Sequence, residues 1–506
     1  MKLVTHRPAV LSAQDMQAIY DAAIRVLRRV PLRCQATDEF YGYLSEFGCQ
    51  VDGETVRFPA HVVDKVVGLI AERRDQNLAA RAGAGSTAPQ AEAISGVDWG
   101  GQGAEPAEPD IPSTLSYSAS GQAPYCCDIE TGGLRLATVQ DLADLSRVID
   151  AIPNLGRGHP TFIPQDVSRA TAELHAFATI ILNASRPHTV SVYSARHIER
   201  FFDIERIARG GDAEAVRKSR AFVCKLWFTT PFMITRENVE VAMKARELFG
   251  QPIQLGVMPL AGSATPVTVA GCMVHQTAES LVCNIITLAV DGRLGGYHSG
   301  ALATDMRTGA PTQSGPDVDL LQLGSAQMAE FCFGSRVGVS RGPTTTAKVP
   351  GAQSMMEKSI ATLYAILGGT RSFGSLAVLA SADIGSIVQL MLDVEMMAYF
   401  QRLLDGVVVD AERLAEEVIC EVAPTGARFL EHPHTVAHFR EDAFSPELAD
   451  RRVAGAWFDD PTTMLDRAVA KARRLVASAP NRCPLSAADQ AAIRKILAAA
   501  DREAGA

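Results

Sequence analysis

The chain has 506 residues, with 57 Asp and Glu against 48 Lys and Arg for a formal charge of -9. No clustered basic run accompanies that balance, which excludes a nucleic-acid partner read through its phosphates. Hydrophobic residues make up 47% and charged residues 21%, which excludes disordered and fibrous classes. At this length the starting expectation is a large barrel with additions.

The N-terminal MKLVTHRPAVLSAQDM has no apolar core of a secretion signal. No run reaches the roughly 18 apolar residues a spanning helix needs, so a cytoplasmic protein without a membrane partner is expected. Ten cysteines are scattered without a CxxC pair or a zinc-type Cys/His set, and read as reduced, mostly buried thiols with no bound metal.

In chain order, residues 12–30 carry apolar residues at helical spacing behind a Ser cap, and a second helix follows around 37–47. CQVDGETVRFP predicts a hairpin turning at Asp52-Gly53, with Pro59 opening another helix to about Arg74. Residues 1–78 thus form an N-terminal helical region. The Ala-, Gly-, Ser- and Pro-rich stretch 79–124 reads as a linker or wrapping segment.

From Tyr125 short apolar runs alternate with helical stretches. Strands are expected at 125–129, 157–163, 188–193, 221–228, 253–258, 294–299, 335–340 and 371–379. Helices fall between them at about 138–151, 166–185, 195–209, 235–249, 264–290, 317–332, 352–367 and 384–404. The βα pattern predicts an α/β fold, a (β/α)8 TIM barrel over 125–405. A C-terminal helical extension, 406–506, packs on it with helices near 410–421, 462–477 and 486–502.

In such a barrel the chemistry sits at the C-terminal ends of the strands. Those ends carry Phe162, Tyr193, Trp227, Met258, His298, Arg341, Lys348 and Phe373. The set is aromatic and nearly free of carboxylates, and it lacks a glycosidase pair, a GxSxG elbow, a P-loop and a GxGxxG after a strand. Such a pocket suits a cation over ring faces, although rings at strand ends equally serve to fill the barrel top. Lys225, inside FVCKLWF, must find a partner or a wet cavity, and strand alternation puts it on the face that Trp227 occupies. A buried ion pair is its structural alternative. His434 and His438 have the i, i+4 spacing of a metal pair, but no HExxH and no third ligand follow, so a structural role is expected.

Several blocks carry a resemblance. LSAQDMQAIYDAAIRVL, FGCQVDGETVRFP, PLAGSATPVTVAGCMVHQTAESL, TTTAKVPGAQSMMEKSIATLYAILGGT and FLEHPHTVAHFR resemble the trimethylamine methyltransferase family over nearly the whole chain. Written in the ordinary twenty letters, the chain is similar to its pyrrolysine-free branch, which includes glycine betaine methyltransferases. The resemblance implies a TIM-barrel enzyme that moves a methyl group from a small quaternary amine to the cobalt of a separate corrinoid protein. The corrinoid (cobalamin) is then carried by that partner and not held tightly by this chain. No residue need act as a covalent nucleophile, because the cobalt supplies one and the quaternary nitrogen is already a charged leaving group.

Lys225, His298, Arg341 and Lys348 become candidate donors to a betaine carboxylate. The N-terminus of the helix after Pro266 would favour the same anion, and its small residues suit close packing on the barrel or on a second subunit of a homo-oligomer. Where relatives usually have an acidic residue this chain has Gly351, on the loop after the seventh expected strand, and APTGA at 423–427 replaces a GPGG; the first departure leaves open a substrate other than the family's known amines. A non-catalytic binder of methylated amines, or a barrel enzyme acting on another methylated compound, are the alternatives.

Overall fold

The computed structural model describes residues 8–83 and 114–505, apart from 187, 220, 299, 335–338, 340 and 341. It is a mixed α/β protein with several small sheets wrapped by long helices. Among the described residues no helix is long and apolar enough to cross a membrane.

Helix Ala13–Leu27 starts in a capping box: the Ser12 hydroxyl accepts from the Asp15 N–H, and the Asp15 carboxylate accepts from the Ser12 N–H. Ile19, Ala23 and Leu27 recur on its inner face and pack on helix Val269–Asp291. Strands Gln50–Asp52 and Thr55–Arg57 form the expected antiparallel hairpin. Strand Leu32–Cys34, not foreseen, joins Thr55–Arg57 on one side and runs parallel to Met233–Ile234 on the other. The N-terminal region thereby extends the sheet of strands Lys225–Thr229 and Gln254–Gly256, and shares their core through Leu226, Leu255 and Cys283.

Parallel pairs follow chain order. Ser116–Ala119 pairs with Leu155–Arg157, Val190–Ser191 with Phe222–Val223, and Lys225–Thr229 with Gln254–Gly256. Ser372–Leu376 then returns to pair with Ser116–Ala119. These described strands lie in separate sheets and form no closed barrel.

Two strand expectations are corrected. Ser116–Ala119, inside the stretch read as a linker, takes the place expected for 125–129. Its sequence Ser-Tyr-Ser-Ala has no β-branched residue and ends a run rich in turn formers. Tyr125–Cys127 belongs to another sheet, parallel to Ile384–Gly385 and antiparallel to Leu134–Leu136.

Residues 294–298 are not a strand. Asn284, Ser280 and Gln276 of helix Val269–Asp291 replace the ladder: the Asn284 Oδ1 accepts from the Gly295 and Gly296 N–H groups at 3.0 and 3.1 Å, and the Gln276 Nε2 donates to the His298 carbonyl at 2.7 Å. The strand expected at 335–340 lies outside the described residues except for Val339.

The helices match the expectations closely: Val139–Ala151, Arg236–Phe249, Val269–Asp291, Pro316–Phe333, Ala352–Leu367 and Ile387–Asp405. Residues 410–421 split into Ala411–Leu414 and Glu416–Val422, and an unforeseen helix runs over Pro433–Asp442. The last helix, Ala487–Ala504, packs on helices Ala172–Asn183 and Ile198–Ala208. There the Asp501 carboxylate meets the Thr171 hydroxyl at 2.7 Å and the His175 Nε2 at 3.0 Å.

Candidate functional site

Lys225 and Trp227 lie two apart on one strand, so their side chains leave the same face. The Lys225 Nζ stands 5.6 Å from the Trp227 ring centroid, within cation–π range. Trp227 pairs in register with Gly256 of the next strand. A Cβ on Gly256 would come within 2.3 Å of the indole, so the missing side chain creates the slot in which the ring lies.

His298 comes from the segment that follows helix Val269–Asp291 and is buried. Its backbone is fixed by Gln276 and Ser280, while its Nε2 has no hydrogen-bond partner among the described residues. Burial, helped by the Lys225 charge, pushes its pKa down to about 3, so the imidazole is neutral at physiological pH. One aromatic face, one buried ammonium and one neutral imidazole from two distant segments therefore form a single cluster.

The neighbouring strand adds polar groups. Ser191 is in register with Val223, which places Ser191 and Tyr193 on the face that Lys225 uses. The Ser191 Oγ lies 3.4 Å from the His159 Nε2, and the partly buried Tyr193 hydrogen-bonds with Ser191 and Gln122. Glu173 accepts from the Tyr193 backbone N–H. Burial, with Glu237 nearby, raises its carboxyl to about 7.

Sequence reasoning did not single out His159, Ser191, Glu173 or Gly256. Only the glycine that ends the short Ile-Gln-Leu strand run carries a usable signal.

Loops 343–347 and 375–382 lock together at the end of strand Ser372–Leu376. The Ala380 and Ser381 N–H groups donate to the Ala347 and Thr345 carbonyls at 2.8 and 2.7 Å. Ser375, Ala377, Ala380, Ser381 and Ala382 all have positive φ, a conformation that costs each of them on the order of 1 kcal/mol or more. The surroundings hold it: the Asp393 Oδ2, itself paired with Lys358 at 2.7 Å in full burial, accepts from the Ala377 N–H, and the Ser120 hydroxyl accepts from the Ser375 N–H.

The remaining sequence candidates scatter. Phe162 and Phe373 are buried in an apolar core, with Phe162 packed against Gly385. Met258 is half-buried just past the strand end. Lys348 is exposed, and its amine donates to the Thr346 carbonyl at 2.7 Å. Arg341 lies outside the described residues. Gly351 caps helix Ala352–Leu367 and faces open space. The His434 and His438 rings sit 4.4 Å apart on Glu412, and among the described residues no three metal-ligating side chains gather.

The family model described as trimethylamine methyltransferase (MTTB) matches residues 113–505. This chain belongs to the trimethylamine methyltransferase family. It is a methyltransferase of that family, and the match takes in the strands of both site clusters and the C-terminal helices. Trimethylamine methyltransferase MttB of Methanosarcina thermophila is 26% identical over 453 residues, 88% of this chain and 87% of the relative. A Desulfitobacterium hafniense (strain DSM 10664 / DCB-2) protein of the same name is 23% identical over 458 residues, 89% and 85%. Glycine betaine methyltransferase of Desulfitobacterium hafniense (strain Y51) is 25% identical over 362 residues, 70% and 74%.

Proposed function

We propose that this methyltransferase takes a methyl group from a small, carboxylate-bearing quaternary amine, glycine betaine-like, and delivers it to the cobalt of a separate corrinoid protein. We read the fold as a (β/α)8 barrel whose strand ends form the mouth where that carrier docks. The chain-order parallel pairs and the return of Ser372–Leu376 to Ser116–Ala119 support the barrel.

The observation that carries the substrate reading is the Lys225–Trp227–His298 cluster. The indole face takes the onium, where a desolvated contact contributes about 1–2 kcal/mol. The Lys225 ammonium takes the carboxylate, and the neutral His298 offers a hydrogen bond without adding a second positive charge near the onium. The cluster contains no carboxylate and no nucleophile, which fits a reaction whose attacking electron pair comes from the carrier. When docked, the carrier's reduced cobalt supplies that nucleophile. The chain binds the zwitterion, turns one methyl toward the mouth and excludes water. A methylated amine without a carboxylate forgoes the contact with Lys225, which gives selectivity for the zwitterion.

The test is absorbance-monitored methylation of a reduced corrinoid protein with a panel of methylated amines. Turnover is expected with a betaine. Lys225→Met should raise the betaine KM about 10- to 100-fold with a smaller effect on carboxylate-free amines. Methyl transfer from no quaternary amine, or an equal loss for both kinds of amine in the variant, would sink the reading.

A further inference from the structure

Residues 406–447 form an arm that leaves the end of helix Ile387–Asp405 and returns beside it. Both roots are fixed. The Arg402 Nη2 donates to the Asp442 carbonyl at 2.7 Å, the Glu395 carboxylate accepts from the Leu448 and Ala449 N–H groups, and Tyr399 meets Phe444 edge-on at 5.7 Å. Between the roots the arm buries almost nothing: Val422 is its one buried residue. Nine large apolar side chains are exposed from Val407 to Phe439, Leu430 at 73% and Val409 at 71%. So many exposed large apolar side chains on one short arm mark an interaction surface.

We propose that this arm clasps a second copy of the chain, seating on the exposed apolar stripe of helix Ala352–Leu367. That stripe is Met356, Ile360, Leu363 and Tyr364, 38–58% exposed and spaced to share one helix face. On each copy the nine exposed apolar residues of the arm and the four of the stripe together offer surface on the order of the roughly 800 Å² per partner that a stable interface buries.

Charge selects the seat. Over 406–447 the arm carries nine Asp and Glu against three Arg, so two arms side by side repel each other. The helix bearing the stripe has only Glu357 and Lys358 as charged residues. Glu357 is engaged by Thr345, Thr346 and Gln353, and Lys358 is buried on Asp393. An arm and a stripe on each copy make a self-complementary, two-fold clasp.

Position argues against the corrinoid protein as occupant. The Gln401 Oε1, four residues before the helix ends, accepts from the Leu115 N–H at the start of strand Ser116–Ala119. The arm therefore springs from the N-terminal ends of the parallel strands. Trp227 packs on Gly256, the last residue of its strand, and the 19-residue helix spans about 28 Å between the two ends.

Sedimentation and light scattering of the full chain test the clasp whether or not the substrate reading holds. A dimer or a larger even assembly is expected at micromolar concentration. Leu430→Asp with Phe439→Asp, and separately Ile360→Asp with Tyr364→Asp, should each weaken it at least about 100-fold, all four sites being exposed. Hydrogen exchange in the unmutated chain should show amides of 407–440 gaining protection as concentration rises, a readout that needs no variant. A monomeric unmutated chain, an assembly insensitive to both pairs, or arm protection that appears only with a corrinoid protein would overturn the proposal.

Discussion

His298 joins full burial to an imidazole nitrogen that lacks a partner among the described residues. With its pKa near 3 in the folded chain and about 6.5 when unfolded, the unfolded form takes up a proton first as pH falls. Its contribution to stability is therefore complete above about pH 6.5 and declines below it, by at most about 1.4 kcal/mol per pH unit. Thermal melts from pH 7 to pH 5 should show a steeper loss in the unmutated chain than in His298→Gln; parallel curves would remove His298 as the cause.

Lys225 and Trp227 are legible from sequence because a lysine within an apolar run is conspicuous and alternation gives both one face. His159, Ser191 and Glu173 are not, since their neighbours are set by pairings between distant segments that no local pattern encodes.

At the scale of elements, the slot for Trp227 depends on one backbone position. Gly256→Ala puts a methyl within 2.3 Å of the indole, and overpacking of this kind costs about 1–3 kcal/mol. We expect a shifted tryptophan emission and a methyl-transfer rate lowered at least about tenfold, with the fold retained by circular dichroism. Unchanged emission and rate would mean that the ring is not held against this strand.

Helices were the readable elements: caps such as Ser12, Thr138 and Thr463 and the period of apolar residues fix their type and extent. The described strands run only two to five residues, so alternation marks few of them. At 295–298 the ladder is made by side chains of a neighbouring helix, which no strand pattern predicts.

Over the whole molecule, distant segments are tied by a few buried contacts. The last helix is pinned where Asp501 meets Thr171 and His175, across more than 300 positions. Asp501→Ala removes the acceptor that Thr171 and His175 share, leaving the Thr171 hydroxyl only its longer bond to the Ser168 carbonyl at 3.4 Å, and should cost about 1–3 kcal/mol, read as a lower denaturation midpoint; an unchanged midpoint would show that apolar packing alone docks the helix. The sequence shows that a terminal helix exists, but not where it docks.

The pairing of Ser372–Leu376 with Ser116–Ala119 also has a consequence during synthesis. One side of Ser116–Ala119 meets Leu155–Arg157 early, but its other edge has no partner until some 250 further residues have left the ribosome. An open strand edge invites pairing with another chain. Growing chains on neighbouring ribosomes are thus exposed to cross-pairing at this edge, and yield in expression should respond to translation speed and to chaperone supply more than to the final stability of the finished protein.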